Sequence, residues 1–300
     1  MLRIQFLILS VLLLLTACSN RPAKQSEVPH EVGVAYMNLE TGEALVYNAH
    51  TIFHAASTMK TPVMFQLYKM RDKGLIDLDD KVPVTNQFKS IVDDSFFSLE
   101  ISSQQDEILF PHINGYLSYR ELMEKMITHS SNLATNILME YTGADSIGVT
   151  MAEIEASGVM VLRGVMDMKA YELRLNNVTT AYGMMKVMEA VYGSDVVADS
   201  SRQEMMDILK AQHYNSMIPA GLPDDVVIAH KTGSITRIAH DAAIVFPPDS
   251  PPFVLVILTR GWDQHAEASE VGARIAGKLY DYHRGLITRT DMVVPDLIKD

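Results

Sequence analysis

Strand-like segments stand at both ends of this chain and helical ones fill its middle, which narrows the possible folds more than any other feature. Near the start, residues 31–39 alternate as a strand does, Glu40-Thr41-Gly42-Glu43 reads as a turn, and residues 44–47 return. Near the end, residues 226–228, 240–246 and 253–259 are rich in Val and Ile, with the Pro-rich segment 247–252 joining the last two. A helical pattern follows from about residue 264 to residue 282. Between these ends the helical period takes over. Met59, Val63, Leu67 and Met70 recur at helical spacing over residues 57–72, and Gly74 ends the run. Ser118-Tyr119-Arg120-Glu121 is a capping-box pattern opening a helix with Leu122, Met126 and Ile127 inward. Further helices are expected over 132–141, 146–156, 180–192 and 202–211, with Met184, Met188 and Met205 as core filling. The expected layout is a mixed lobe from residues 30–55 and 213–300, with an all-helical lobe, 56–212, inserted between its halves. Residues 77–111 are irregular and polar, and the pattern does not place them.

The first residues predict export. Met1-Leu2-Arg3 carries a positive charge ahead of an apolar run from Ile4 to Leu15, too short to span a bilayer, and the run exits through small residues. Leu15-Thr16-Ala17-Cys18 resembles the bacterial lipobox, in which cleavage leaves the cysteine first and its thiol is acylated. Cys18 is the only cysteine in the chain, so it has no disulfide partner within it. Residues 1–17 are thus expected to be a signal peptide and 18–29 a polar tether. Ser19 follows the cysteine, favouring outer-membrane delivery to the periplasmic face over inner-membrane retention. A net charge of −12 leaves no basic stripe for nucleic acid. No metal or other cofactor is implied, because the histidines lack ligand spacing; a monomer is expected.

Three short motifs carry the chemistry. Ser57-Thr58-Met59-Lys60 puts a hydroxyl and an amine one helical turn apart, and a serine becomes a nucleophile only when a nearby base takes its proton. Ser130-Ser131-Asn132 stands at a junction between helices, where Ser and Asn also serve as caps. Its hydroxyl can relay a proton and its amide can hold a carbonyl. Lys231-Thr232-Gly233-Ser234 supplies a cation, two hydroxyls and a glycine that lets a substrate lie against a strand edge.

Together these motifs are the signature of class A β-lactamases and penicillin-binding proteins. The similarity extends through residues 53–60, 128–136 and 231–259, so the chain resembles that family from about residue 30 onward. The resemblance implies an α/β fold: an antiparallel sheet flanked by helices, built from both termini, with the helical lobe inserted. It implies that Ser57 attacks the carbonyl, Lys60 assists its deprotonation, and Ser130 passes a proton to the departing nitrogen. Asn132 would orient the substrate amide, Lys231 would supply positive potential, and Thr232 and Ser234 would bind the substrate carboxylate, with Arg237 close enough to help. The backbone N–H groups of Ser57 and Ser234 would form the oxyanion hole.

Two departures stand out. Ser131 occupies a position where the family usually has aspartate. The second concerns the glutamate that activates the hydrolytic water from a loop, here expected between about residues 164 and 180. Glu172-Leu173-Arg174-Leu175-Asn176 reproduces the family's Glu-x-x-Leu-Asn spacing, whereas loop length points to Met166-Asp167, leaving Glu172 and Asp167 as competing bases. The favoured expectation is therefore a β-lactamase. The alternative is a penicillin-binding peptidase acting on the D-Ala-D-Ala end of peptidoglycan stems, and the third is a non-catalytic cell-wall sensor.

Overall fold

A computed structural model of the protein describes residues 29–100, 104–291 and 294. The signal segment, Cys18 and nearly all of the tether lie outside the described residues. In chain order the elements are β1 (Glu31–Asn38), β2 (Ala44–Tyr47), β3 (Phe53–His54), α1 (Lys60–Asp72), β4 (Lys81–Pro83), β5 (Phe88–Lys89) and β6 (Phe96–Phe97). Then come α2 (Gln104–Glu107), β7 (Tyr116–Ser118), α3 (Tyr119–Thr128), α4 (Asn132–Thr142), α5 (Ala144–Glu153), α6 (Met168–Glu172) and β8 (Val178–Thr179). The chain ends with α7 (Ala181–Gly193), α8 (Asp199–Lys210), β9 (Val227–Ile235), β10 (Ile238–Phe246), β11 (Phe253–Arg260) and α9 (His265–His283).

The main sheet has the order β2-β1-β11-β10-β9 and is antiparallel throughout, so the two ends of the chain meet at the β1–β11 pair. β11 reads as an unbroken apolar run because both of its faces are covered. Leu255 and Ile257 pack in a core with Val271, Ile275 and Leu279 of α9. Val254, Val256 and Leu258 point the other way, into a larger core with Met184, Val187 and Met188 of α7 and with Met59, Val63 and Leu67. The methionines at 184, 188 and 205 are fully buried there, as core filling requires.

Helices α3, α4 and α7 begin at side-chain caps. Ser118 accepts from the Glu121 N–H at 3.1 Å while the Glu121 carboxylate accepts from the Ser118 N–H at 2.8 Å, which completes the capping box of α3. Ser131 and Thr180 cap α4 and α7 by accepting from the Ala134 and Gly183 N–H groups, without the reciprocal bond. The segment 77–111 resolves into short pieces: β4 pairs with β7, and β5 with β6. Among the described residues none of its regular elements exceeds four residues, too short for a hydrophobic period to register.

Candidate active site

Ser57 sits in a 3₁₀ turn, Ala56–Met59, and α1 begins only at Lys60, three residues later than the periodicity predicts. The cause lies one residue upstream. Ala56 adopts φ +46°, a left-handed conformation costing an alanine on the order of 1–2 kcal/mol. Neighbouring hydrogen bonds hold it there. The Ala55 N–H donates to Asn177 O at 2.9 Å and the Ala56 N–H to His54 Nδ1 at 3.0 Å. Thr58 donates to Ala55 O through both its N–H and its hydroxyl. On the other side, β9 lies flush against the turn at Gly233, where a Cβ would come within 2.9 Å of both Ser57 N and Thr58 N. Glycine is required there by this close approach.

Behind Ser57 stand two fully buried lysines. Lys60 Nζ donates to Ser130 O at 2.6 Å, to Ser130 Oγ at 3.1 Å and to Asn132 Oδ1 at 3.0 Å. Lys231 Nζ donates to the same Ser130 Oγ at 3.1 Å and to Thr232 O. Ser130 thus bridges the two amines, and its backbone is also left-handed, φ +58°. Burial, reinforced by the neighbouring Lys231 cation and partly opposed by Asp106, holds Lys60 well below the usual lysine range. Burial pushes Lys231 down to about 7 against the weaker pull of Asp241. Two ammonium groups so close and so desolvated disfavour each other's charge, which favours a neutral amine in this cluster.

Ser57, Ser130, Thr232, Gly233 and Ser234 line one cavity together with Tyr214 and His265. Ser57 and Ser234 also line a second, with Asn132, Val165, Met166, Asp167, Met168 and Tyr171. The three motifs therefore converge on Ser57, which lines both cavities. Arg237 stands apart: its guanidinium pairs with Asp263 at 2.9 Å and donates to Gly261 O, so it is already engaged. His230 binds Asp241 and Asn215.

One anchoring residue escaped the sequence reading. Asp106, buried on α2, accepts from Ser131 Oγ and the Asn132 N–H at 2.8 Å each, and from the Leu133 N–H at 3.1 Å. It places a carboxylate on the first free amides of α4, where the helix dipole favours negative charge. It fixes the Ser130–Asn132 junction, and Ser131 serves it as a donor. Only the motif's Ser131 could have hinted at it, as a cap wanting a partner.

The loop before β8 supplies one wall of the second cavity at Ser57. The Arg163 side chain donates to Leu175 O and Gly164 O, and Asn177 bonds the backbone of residues 162 and 163, closing the loop on itself. Asn136 grips the Val165 backbone at both ends, Oδ1 to its N–H at 2.7 Å and Nδ2 to its carbonyl at 3.0 Å. Of the two acids read from the sequence, Glu172 ends α6, exposed, and does not line the cavity at Ser57. Asp167 does line it, but its carboxylate is taken. It caps α6 through the Ala170 N–H and accepts from Ser90 Oγ and the Ile91 N–H. Asp167 stitches the β5–β6 segment to the loop.

A model of the β-lactamase enzyme family matches residues 20–283. The chain belongs to that family, one of penicillin-recognising serine enzymes. Among curated relatives, a β-lactamase of Bacteroides uniformis is 23% identical over 266 residues, 84% of this chain and 86% of its own. A β-lactamase of Bacillus licheniformis is 23% identical and covers 76% of this chain and 71% of its own. Among solved structures, PBP-A superposes with a TM-score of 0.74 at 24% identity, covering 88% of this chain and 92% of its own. A β-lactamase from Chitinophaga pinensis gives 0.74 at 23% identity, covering 84% and 93%. These likenesses establish an α/β fold of antiparallel sheet and helices, built from both termini.

Proposed function

We propose that this protein forms an acyl-enzyme at Ser57 with β-lactams and with D-Ala-D-Ala peptides of the cell wall, and that it releases the β-lactam acyl group slowly. Neutral Lys60 takes the Ser57 proton as Oγ bonds to the carbonyl carbon. The C–N bond then breaks, and Ser130 Oγ hands a proton to the leaving nitrogen, refilled from Lys60. Charged Lys231, with Thr232 and Ser234, binds the substrate carboxylate, and Asn132 holds the substrate amide. The Ser57 and Ser234 N–H groups hold the oxyanion.

The observation that carries slow release is the commitment of Asp167, the one acid lining the Ser57 cavity on the loop side. With no free carboxylate there, water lacks a base. In a peptide the amine departs and an acceptor enters past Ser130; in a β-lactam the amine stays tethered and blocks that route. Support for the family comparison includes a PBP-A variant solved as an acyl-enzyme with penicillin G. Full β-lactamase turnover is the second reading, favoured by the family match and by the position of Asp167 within the cavity.

A chromogenic cephalosporin decides between them. A stoichiometric burst with a stable Ser57 adduct by mass spectrometry is expected, whereas sustained turnover lost in Asp167→Asn supports the second reading. No adduct in wild type, or one that persists in Ser57→Ala, sinks both. The protein is further proposed to be an exported lipoprotein anchored at Cys18, a monomer on the periplasmic face of the outer membrane. Radiolabelled palmitate should enter wild type and not Cys18→Ser.

A further inference from the structure

The Ala56 amide, next to the nucleophile, donates to the one atom of His54 that can refuse it. An imidazole Nδ1 accepts an N–H only while unprotonated, and this hydrogen bond is 3.0 Å long with the turn otherwise held at left-handed φ. His54 is fixed from several sides. Its carbonyl accepts from His240 Nε2 at 2.9 Å, and its strand pairs with β8, which carries Asn177, the acceptor of the Ala55 N–H, just ahead of it. Its ring meets the edge of Tyr171 and lines the same cavity as Ser57.

We infer that His54 is a positioning residue for acylation: its neutral ring holds the Ala56 amide, and protonating that ring releases the turn that aims Ser57. The inference rests on the acyl-enzyme reading above. The groups around it favour the neutral form. Burial and then the Arg163 guanidinium, from the loop, lower the His54 pKa below its usual value. From β10, His240 is itself kept neutral by burial, with a pKa of about 4. Tyr171 presents its ring, and Asp167 in the shared cavity is engaged by three donors. The sign follows: acylation is intact above the His54 pKa and lost as pH falls through it.

His54→Asn separates this from a merely structural role, because an Asn side chain accepts from the amide two residues on and does not titrate. Second-order labelling by a fluorescent penicillin is compared between wild type and His54→Asn from about pH 8 to about pH 5. The lysine contributions cancel in the ratio. That ratio should fall about ten-fold per pH unit below the His54 pKa, while His54→Leu loses roughly ten-fold at every pH. In wild type the Ala56 amide resonance should titrate together with the His54 ring protons. A flat ratio with labelling intact, or an Ala56 amide indifferent to His54 titration, overturns the role of His54. Absence of labelling at every pH in every variant overturns the acylation reading itself, and with it the kinetic role of His54.

Discussion

Asp106→Ala should cost this protein more stability than almost any other single polar change. Its Oδ1 serves three donors, and two are backbone amides at the start of α4 with no intrahelical partner. Hydrogen bonds to a charged group contribute about 1.5–3 kcal/mol each, but one oxygen shared three ways delivers less than their sum. Partial rehydration of the cavity reduces it again. The expected loss is about 3–5 kcal/mol, a large share of the roughly 5–15 kcal/mol that holds a domain together. Asp106→Asn keeps an acceptor oxygen and loses only the charge, for about 1–2 kcal/mol. It also removes the negative group that raises the Lys60 pKa, so neutral Lys60 persists to lower pH and the acid limb of acylation moves down. Urea denaturation gives the energies, and penicillin labelling against pH gives the limb. An Ala variant within about 1 kcal/mol of wild type, or an Asn variant whose acid limb rises or stays put, would refute the reasoning.

Three further outcomes follow. Val165→Glu puts a carboxylate on the loop residue that Asn136 fixes within the Ser57 cavity; release of the penicillin adduct should quicken about 100-fold or more, and an unchanged adduct lifetime excludes that geometry. Gly233→Ala drives a methyl against the Ser57 and Thr58 amides; acylation should fall about 100-fold while Tm drops only a few degrees, so a variant that labels normally shows that the strand has room. Native His240 stays neutral down to about pH 4, whereas unfolded histidine protonates near 6.5. Native stability is therefore full above pH 6.5 and falls by roughly 3 kcal/mol on descending to about pH 4; a wild-type minus His240→Gln difference that is flat across that window would count against it.

Residues that act through local spacing were legible in the sequence, and residues that act through a fold-back were not. The hydroxyl–amine pair of Ser57 and Lys60, the Ser118 capping box and the alternating strands all announce themselves within a few residues. Asp106 meets the Ser131 junction across 25 residues, and Asp167 meets Ser90 across 77, in a segment whose strands are two or three residues long. No periodicity survives at that length. Asp167 illustrates the consequence: by position it read as a free acid near the nucleophile, and its capping bond to Ala170 carries none of the Ser/Thr-to-Glu spacing that marks a box. The late start of α1 has a similar origin. Ser57 to Asp72 has a helical period, but the left-handed Ala56 turn is imposed by His54, Asn177 and Gly233, and none of these is visible in the period itself.

On the proposed reading the two halves of the reaction are mounted differently. The groups for acylation stand on α1, the α4 junction and β9, with both lysines at zero exposure and Ser130 shared between them. Such a cluster is costly, since each buried amine resists protonation, and it survives because Asp106, Gly233 and the Ala56 turn over-determine its geometry. The group that would activate water belongs instead to a loop, and there the residues lining the Ser57 cavity are Val165, Met166, the engaged Asp167, Met168 and Tyr171. Asn136 holds the loop by its backbone, so a new side chain at 165 leaves that anchor in place and gives up only the packing of Val165 against the larger core. On that reading the groups for acylation are tied into buried packing and hydrogen bonding, whereas hydrolysis of the adduct is expected to be gained or lost by one loop substitution. Under the proposed function that asymmetry would let one architecture be either a target of β-lactams or their destroyer, and it makes residue 165 the position to vary.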